Sequence, residues 1–472
     1  MNVNIAQQFI DKKWNETVIP TLKEYIQIPN KSPTFDPDWE KNGYMEKAVE
    51  LLTSWVKRQD IAGIELTVKR LPGRTPLIFI EVPGKNNKTV LLYGHLDKQP
   101  EMVGWDENKH PWKPVIEDNK LYGRGGADDG YAIFSIVIAI KSLQIQNIPH
   151  ARCVIIIEAC EESGSRDLPE YVEHFRNKIG EPELVICLDS GAGNYDQLWC
   201  TTSLRGLING KLSIEILKEG IHSGTGSGVV ASTFRILRQL ISRIENEKTG
   251  KIILPILQID IPKRRIKEAE GVVTALGDKI WKQYPFVEGA KPVASKNIEN
   301  ILNRTWYSAL CVTGMDHVPL IKDAGNVLRP KTIAMLSIRI PPICNEETAV
   351  ATLKEILEKD PPYHAKVSYI PTDISEGWNA PEVAPWLDQA IQKISQAVFN
   401  KPGLYWGEGG SIPFMGMLGK KFPKAQFVIT GVLGPHSNAH GPNEFLDIPY
   451  AKKITTCIAG ILADHFIEAL QK

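Results

Sequence analysis

Acidic and histidine side chains follow the apolar, strand-like segments of this chain, and they restrict the folds that it can adopt. These side chains are His95, Asp97, Asp128, Glu161, Glu162, Asp189 and His440. In an open parallel α/β sheet the carboxyl ends of the strands meet at one edge, so residues distant in sequence can share one metal-binding crevice. The pattern therefore predicts an α/β protein that acts as a two-metal hydrolase.

The order of predicted elements supports a mainly parallel sheet flanked by helices. Helical and strand-like patterns alternate in the first part of the chain, which is typical of strands joined by helices. The helical patterns are Asn4–Ile28, Tyr44–Arg58 and Tyr131–Leu143, and the strand-like runs are Val90–Tyr93, Cys153–Glu158 and Leu184–Leu188.

The middle of the chain has the pattern of a small α+β domain, in which short β-rich runs are separated by turns and helices. The strand candidates are Leu207–Leu217, Thr332–Ile340 and Lys366–Ile370, and the helical patterns lie near Ser232–Ile244 and Glu346–Leu357. The alternation resumes after Gly377, with Pro385–Phe399, Phe427–Thr430 and Tyr450–Leu470. Because His440 falls in this return segment, we predict a catalytic domain of residues 1–206 and 375–472, interrupted by an inserted domain of residues 207–374.

The composition narrows the classes of partner. Lysine plus arginine and aspartate plus glutamate number 55 each, so no global field favours nucleic acid or an anionic membrane. The start of the chain lacks a signal-peptide pattern, and the apolar run Tyr131–Ile140 is too short to span a bilayer. The seven cysteines form no C-x-x-C pair, which predicts reduced thiols. We expect a cytoplasmic protein with small-molecule partners, and neither a nucleic acid nor a membrane as partner.

Two motifs place metal-type ligands at strand and helix ends. In YGHLD an apolar strand delivers His95 and Asp97; the imidazole can bind a divalent metal, and Asp97 can be a ligand or can orient the histidine. In GRGGADDG, Asp128 precedes a helix, where it can approach two cations or simply cap the helix. The phrase imitates a dinucleotide-binding G-x-G-x-x-G, but Asp128 occupies its last glycine position. A purely structural role is the alternative for each motif taken alone.

CVIIIEACEESGS is the most specific local signal, because Glu161 and Glu162 follow a buried strand. In extended chain, successive side chains point to opposite sides, so one carboxylate can bind a metal while its neighbour faces the attacking water. Adjacent glutamates are otherwise a solvated pair, Asp189 after LVICLD can cap a loop, and His440 in SNAHGPNEF can be an exposed loop histidine. Five ligand-type residues at the ends of buried runs favour one shared site.

Several motifs together resemble those of the carnosinase-like dinuclear metallodipeptidases, relatives of aminoacylases, glutamate carboxypeptidases and succinyl-diaminopimelate desuccinylase. They occur in family order over nearly the whole chain: YGHLD, WDENKHPWKP, LYGRGGADD, EESGS, LRG, IHSG, SIRIPP, EGGSIP and NAHGPNE. The resemblance implies a zinc-peptidase-like catalytic domain with an inserted lid and dimerisation domain, and therefore a homodimer.

The resemblance also implies a role for each matching residue. One metal would be held by His95 and Asp189 and the other by Glu162 and His440, with Asp128 bridging the two. Asp97 would orient His95, and Glu161 would be the general base. The metal is expected to be zinc, with manganese or cobalt as alternatives, since one histidine and carboxylates per ion suit all three.

The lid residues implied by the resemblance lie in the inserted domain and in the return segment. His222 in IHSG would stabilise the oxyanion in the partner subunit's active site, and Arg339 in SIRIPP would bind the substrate carboxylate through its planar fork. Gly410 and Ser411 in EGGSIP would belong to the substrate-binding loop. A turn histidine, an exposed strand arginine and a plain turn are the structural alternatives.

Two positions depart from the family pattern, and three activities stay open. The family's D-D-K-G reads Asp129-Gly130-Tyr131 after Asp128 here, and its R-E-G-G-S has Gly407 before Glu408. The expected activity is hydrolysis of dipeptides or similar small substrates with a free carboxylate. Deacylation of N-acyl amino acids and carboxypeptidase activity on longer peptides are alternatives that use the same site. A catalytically silent scaffold is disfavoured because Glu161 and all five ligands are present.

Overall fold

The structure, a computed structural model, describes residues 1–469 and divides the chain into two units. The first unit comprises residues 1–202, 380–406 and the described residues from 417 onward, and the second comprises 203–379 and 407–416. The sequence-based boundaries lie after residues 206 and 374 instead, and they place 407–416 in the return segment of the catalytic domain. The second unit therefore contains a short stretch that the sequence pattern did not assign to it.

The strands and helices of residues 1–469 are numbered in chain order. The strands are β1 (Glu65–Lys69), β2 (Leu77–Val82), β3 (Thr89–His95), β4 (Val115–Glu117), β5 (Lys120–Tyr122), β6 (Arg152–Glu158), β7 (Leu184–Cys187), β8 (Trp199–Leu204), β9 (Gly206–Glu215), β10 (Ile221–His222), β11 (Ala309–Asp316), β12 (Val327–Leu328), β13 (Lys331–Ile340), β14 (Lys366–Ser375), β15 (Trp378–Asn379), β16 (Leu404–Glu408), β17 (Gln426–Ile429) and β18 (Phe445–Asp447). The helices are α1 (Val3–Lys13), α2 (Ile19–Ile26), α3 (Trp39–Asn42), α4 (Tyr44–Lys57), α5 (Ala132–Gln144), α6 (Leu168–His174), α7 (Arg176–Ile179), α8 (Ser223–Gly226), α9 (Thr233–Ile241), α10 (Lys263–Leu276), α11 (Lys279–Lys282), α12 (Asn297–Thr305), α13 (Glu346–Glu358), α14 (Pro385–Phe399), α15 (Pro413–Lys421) and α16 (Ile448–Ala469).

The sheet of the first unit is parallel at its centre and antiparallel towards both edges. Its order is β1-β2-β6-β3-β7-β17-β8. The β6-β3, β3-β7 and β7-β17 pairs are parallel, whereas β1-β2, β2-β6 and β17-β8 are antiparallel. Every residue of β3 is buried, as expected of a central strand that is covered on both faces. The predicted fold class, with a mainly parallel sheet flanked by helices, is confirmed.

The helices of the first unit bury the sheet because several of them are apolar on most of their surface. Helix α5 has the sequence AIFSIVIAIKSLQ, and eleven of its thirteen residues are buried. It packs against α1, α16 and β3, and α16 also packs on α14. A helix that is apolar nearly all round is stable only when other elements enclose it. The helical patterns predicted around Tyr44–Arg58, Tyr131–Leu143 and Pro385–Phe399 correspond to α4, α5 and α14.

The second unit contains an antiparallel sheet in the order β11-β13-β9-β14, with helices on it. Burial alternates strictly along β13 and nearly so along β9, so each presents one apolar face. Helices α9 and α13 pack on this sheet, and Leu212, Ile236, Leu336 and Leu353 lie in the core between them. The predicted α+β character of the inserted domain is confirmed.

No helix within residues 1–469 is long and apolar enough to cross a membrane. All seven cysteines have free thiols; Cys311 is exposed and the other six are buried. The six buried thiols therefore pack as small apolar side chains, and none of the seven cysteines forms a disulfide, as predicted.

Candidate metal centre

Three parallel strands bring the predicted ligands to one edge of the first unit's sheet. Strand β3 ends at His95, which pairs in register with Glu158 at the end of β6. Strand β7 pairs with β3 on the other side and ends at Cys187, two residues before Asp189. Because the three strands run in the same direction, the residues that follow them lie close together.

Asp128 and His440 reach this edge from turns rather than strands. Asp128 lies in the π-helical turn Gly126–Gly130, its side chain makes no helix-capping hydrogen bond, and the Asp128–Asp129 peptide is cis. His440 has a φ of +64° in the loop before β18, and 55% of its side chain is exposed. The capping alternative for Asp128 is therefore wrong.

The five predicted ligands form two groups that share Asp128. Asp128 Oδ1 lies 3.2 Å from His95 Nε2, and its Oδ2 lies 3.1 Å from His440 Nε2. Asp189 Oδ2 completes the first group at 3.8 Å from His95 Nε2, and Glu162 Oε2 completes the second at 3.3 Å from His440 Nε2. All ligand atoms within each group lie within 4.8 Å of one another. The Asp128 carboxylate thus presents one oxygen to each group.

The chemistry and the spacing of these donors fit two divalent cations. Each group offers one imidazole nitrogen and two carboxylates and contains no cysteine. Two donors at about 2.0–2.2 Å from a tetrahedral zinc ion are separated by about 3.3–3.6 Å. The nitrogen–oxygen separations in both groups, from 3.1 to 3.8 Å, bracket that value.

The electrostatics of the edge also favour cations. Burial raises the pKa of Glu161 and of Glu162 well above the ordinary value, and the neighbouring carboxylates Asp189 and Asp128 add to the respective shifts. Burial opposes the charged form of Asp128 as well, but its hydrogen bonds with His440 and His95 outweigh this and lower its pKa. Crowded carboxylates in a low dielectric need positive charge to stay ionised together. Two bound divalent ions would supply it.

Asp97 ties the His95 strand to the glutamate turn. Its Oδ1 accepts the Glu161 N–H and its Oδ2 accepts the Glu162 N–H, both at 3.0 Å. His95 Nδ1 lies 3.1 Å from the backbone carbonyl of Asp97 and 3.5 Å from its carboxylate. The Asp97 carboxylate lies beside the His95 ring, which it was expected to orient. Its hydrogen bonds, however, are made to the backbone amides of Glu161 and Glu162.

Glu161 and Glu162 are not extended, contrary to the prediction. Residues Glu161–Ser163 form a single 3₁₀ turn, and Gly164 follows in the left-handed conformation with a φ of +82°. The Gly164 N–H closes the turn on the Glu161 carbonyl at 2.7 Å. The two amides of the turn point to Asp97, so hydrogen bonding rather than strand alternation sets the directions of the side chains.

Sequence reasoning missed five polar contacts around the ligands. Gln99 donates to Glu162 Oε2 at 2.6 Å, and Asp129 accepts the His95 N–H at 3.2 Å. The buried pair Arg124 and Glu444 joins the Asp128 turn to the His440 loop: Arg124 donates to Glu444, and Glu444 Oε1 accepts the Gly125 N–H at 2.9 Å. Arg124 also donates to the carbonyl of Gly441, next to His440, at 2.8 Å. Arg124, Asp129 and Glu444 lie inside the noted motifs GRGGADDG and NAHGPNE, and Gln99 follows YGHLD by two residues, so only the pairing of these residues was not evident.

The remaining predicted site residues lie in the second unit. His222 is exposed on β10, and Arg339 is half-buried on β13, opposite Leu207 of β9. Gly410 is exposed and Ser411 is half-buried in the turn before α15. Arg205, in the LRG motif, is buried and donates to the backbone carbonyls of Gly409, Asn303 and Tyr307 at 3.1–3.2 Å.

The second unit concentrates positive charge near Arg205. Burial lowers the pKa of Arg205 to about 10, and the charges of Arg339 and Arg304 act in the same direction. Burial also lowers the pKa of Arg339. The positive charges of Arg339 and Arg304 thus act on a third guanidinium group, that of Arg205, and a region with this much positive charge favours a carboxylate.

Known proteins resemble this chain in both sequence and structure. The sequence pattern of "Peptidase family M20/M25/M40" matches residues 91–464. The chain is 26% identical over 427 residues to the Cys-Gly metallodipeptidase DUG1 of Saccharomyces cerevisiae, covering 82% of this chain and 83% of that protein. It is 24% identical to the cysteinylglycine-S-conjugate dipeptidase of Corynebacterium striatum, with 79% of this chain and 80% of that protein covered.

Solved structures show the same fold. The dipeptidase Dug1p of Saccharomyces cerevisiae superposes with a TM-score of 0.76 at 21% identity, covering 98% of both chains. Human carnosine dipeptidase 1 superposes with a TM-score of 0.75 at 20% identity, again covering 98% of both chains.

Glu158, buried at the end of β6, gives the metal-free protein a specific pH dependence. Burial raises its pKa from 4.5 to about 8, and the charge of Asp97 adds to the shift. Between these two pH values the unfolded glutamate is ionised while the folded one keeps its proton, so the free energy of unfolding falls by about 1.4 kcal/mol per pH unit. The loss begins near pH 4.5 and levels off above pH 8.

We therefore expect Glu158→Gln to stabilise the metal-free protein relative to wild type increasingly from pH 5 to pH 8, by up to about 4 kcal/mol. Denaturant unfolding of both proteins at each pH measures the difference, in which the titration of groups distant from Glu158 cancels. A difference that does not change with pH would contradict the buried, protonated state of Glu158.

Proposed function

The chain belongs to peptidase family M20/M25/M40 and is therefore a metallopeptidase, and from that premise we propose that it hydrolyses dipeptides with a free carboxylate at a two-metal site. The predicted family membership is confirmed. The relatives named as dipeptidases support dipeptides as the substrate class. Deacylation of N-acyl amino acids and carboxypeptidase activity are the alternatives.

We assign one metal ion to His95 and Asp189 and the other to Glu162 and His440, with Asp128 shared. The observation that carries this proposal is the Asp128 carboxylate, whose two oxygens lie 3.2 and 3.1 Å from two different imidazole nitrogens. A carboxylate that merely accepted hydrogen bonds would not require a second acidic group beside each histidine, and Asp189 and Glu162 occupy those places. When bound, the two ions supply Lewis acidity for the scissile carbonyl and the attacking water.

Glu161 is the proposed general base. Its carboxylate stands beside the ligand Glu162, and burial with the nearby charge of Asp189 raises its pKa. A base with a raised pKa can take a proton from the attacking water and later deliver it to the leaving amine near neutral pH. Asp97, which accepts the Glu161 and Glu162 amide hydrogens, holds that carboxylate in position.

Arg339 is proposed to bind the substrate carboxylate, and His222 to stabilise the oxyanion. The support for Arg339 is that its positive charge, like that of Arg304, acts on Arg205, so the three side chains make this region positive. Arg205 also holds the carbonyl of Gly409, next to the proposed substrate-binding residues Gly410 and Ser411. The role of His222 rests on the IHSG motif and its exposed position on β10.

We also propose a homodimer that forms through the second unit. Strand β11 is an edge strand of its sheet, and six consecutive residues, 311–316, are exposed. The exposed side chains include Val312 and Met315, and Leu320 and Ile321 further along are 66% and 95% exposed. An unpaired strand edge with exposed apolar side chains is a typical site of association between chains.

The proposed metal is zinc, with manganese or cobalt as alternatives, and the proposed location is the cytoplasm. Mixed imidazole and carboxylate ligands suit all three ions. The free thiols of all seven cysteines support a reducing compartment.

Hydrolysis of a mixed substrate panel tests the function. We expect metal-stripped protein to be inactive, and added zinc, manganese or cobalt to restore cleavage of dipeptides but not of N-acetyl or N-succinyl amino acids. Restored activity confined to acyl amino acids would move the function to deacylation at the same site. Stoichiometric metal binding without any hydrolysis would contradict the proposed activity.

Glu161→Gln tests the general base. Loss of a positioned base costs about 10²–10⁴-fold in rate, so we expect kcat to fall by about that factor while metal content stays at the wild-type level. Glu65→Gln, at an exposed position of β1, is the matched control and should retain full activity. Wild-type turnover in Glu161→Gln would remove Glu161 from its assigned role.

Arg339→Met tests carboxylate recognition with paired substrates. We expect kcat/KM for a dipeptide to fall by about 10–100-fold, which corresponds to the loss of a charge-assisted hydrogen bond, and kcat/KM for the same dipeptide as a C-terminal amide to change little. Arg235→Met, on the exposed side of α9, serves as the control. Equal losses for acid and amide would assign Arg339 a structural role instead.

A further inference from the structure

We propose that Lys98 and Tyr25 form a buried brace that positions both the His95–Asp97 segment and the Asp128 turn for metal binding. The inference rests on the proposed function in that it takes His95 and Asp128 as metal ligands. It goes beyond that function because neither Lys98 nor Tyr25 belongs to the ligand set, the general base or the substrate-binding residues. Both are positioning residues that act through the backbone of the ligand-bearing segments.

Lys98 is fully buried and its ammonium group is held by the end of a helix. Nζ donates to the backbone carbonyls of Tyr25 at 2.7 Å and Ile28 at 2.8 Å, at the carboxyl-terminal end of α2. The last carbonyls of a helix lack intrahelical partners and carry partial negative charge, so they suit a cation. The ammonium also lies 3.8 Å from the centre of the Tyr25 ring, within the range of a cation–π interaction.

Tyr25 returns a hydrogen bond to the segment that contains Lys98. Its hydroxyl donates to the carbonyl of Leu96 at 2.5 Å, and Asn30 Nδ2 donates to the same oxygen at 2.6 Å. Ser32 N–H donates to the carbonyl of Lys98 at 2.9 Å. Leu96 stands between His95 and Asp97, so these bonds fix the backbone on both sides of the proposed ligand and its neighbour.

The side chains of Lys98 and Tyr25 also contact the turn that carries Asp128. A Cβ atom on Gly125, which has a φ of +77°, would lie 2.6–2.7 Å from three side-chain carbons of Lys98. A Cβ atom on Gly130 would lie 2.3 Å from Cε1 of the Tyr25 ring. The glycines at both ends of the turn are therefore in direct contact with the brace. Any shift of Lys98 or Tyr25 changes the space available to the turn that carries Asp128.

These contacts also account for the departure at Gly130. The space into which a side chain at position 130 would project is filled by Tyr25, and a lysine side chain reaches the turn from position 98 instead. Burial lowers the pKa of Lys98, and its contacts with two carbonyls and an aromatic ring offset part of the cost of burying an ammonium group. The brace thus links three segments, residues 25–32, 95–98 and 125–130, at the base of the proposed metal site.

Lys98→Met is the primary test because it removes the ammonium and keeps an unbranched side chain against Gly125. We expect the metal-free variant to bind zinc or manganese about 10–100-fold more weakly than wild type in a chelator competition, the size usual for loss of groups that orient ligands. At saturating metal we expect kcat to fall while KM for a dipeptide changes little. Lys57→Met, at an exposed position of α4, should match wild type in both measurements.

Two further variants keep the inference open to refutation if Lys98→Met does not fold. Tyr25→Phe removes only the hydroxyl bond to Leu96, and Tyr25→Leu also removes the ring beside Lys98 and Gly130; both should weaken metal binding. Folded variants with lower stability but wild-type metal affinity would overturn the brace. Wild-type protein that binds no divalent metal would instead refute the proposed function, since the titration uses no substrate.

Discussion

Mutual repulsion among buried carboxylates is the constraint on which the rest of the site depends. The carboxyl edge of β3, β6 and β7 gathers five buried carboxyl groups, those of Asp97, Asp128, Asp129, Glu158 and Asp189, and the half-buried Glu161 and Glu162 lie beside them. Burial and neighbouring charge raise the pKa of Asp129, Glu161 and Glu162. Carboxylates this close stay ionised together only where cations or N–H donors face them, and divalent ions in the two proposed ligand groups would meet that requirement.

The polar groups around the ligands compensate the charge of these carboxylates or hold the ligand-bearing segments in place. Asp97 has no metal to bind in the proposed assignment, and it is compensated by the amides of Glu161 and Glu162. Gln99 donates to Glu162, and Arg124 pairs with Glu444 next to the His440 loop. A buried ion pair contributes little net stability because both charges lose water. The Arg124–Glu444 pair instead fixes positions, since it joins the turn that carries Asp128 to the loop that carries His440.

Much of this architecture could be predicted from the sequence because it depends on local patterns. The apolar runs that became β3, β6 and β7 gave the positions of the strand ends, and the parallel arrangement followed from the intervening helices. The conformation of Glu161 and Glu162 could not be predicted, since it is set by Asp97, more than sixty residues away in the chain. The antiparallel edge strand β1 was missed for a related reason: it is half-exposed and lysine-bearing, and such a strand is defined by its pairing with β2 rather than by its own pattern.

The two departures from the family motifs show why a changed letter need not mean a lost site. At Gly130 the ring of Tyr25 leaves no room for a Cβ atom, and at Gly407 a Cβ atom would lie 2.5 Å from Ser203 Oγ and 2.9 Å from Thr305 Cβ. Each glycine is thus imposed by another segment that approaches the backbone. Lys98 lies beside Tyr25, which approaches Gly130. Arg205 donates to the carbonyl of Gly409, in the turn that follows Gly407. A sequence motif reports which residue a position carries, whereas the charge at a site is set by every segment that reaches it.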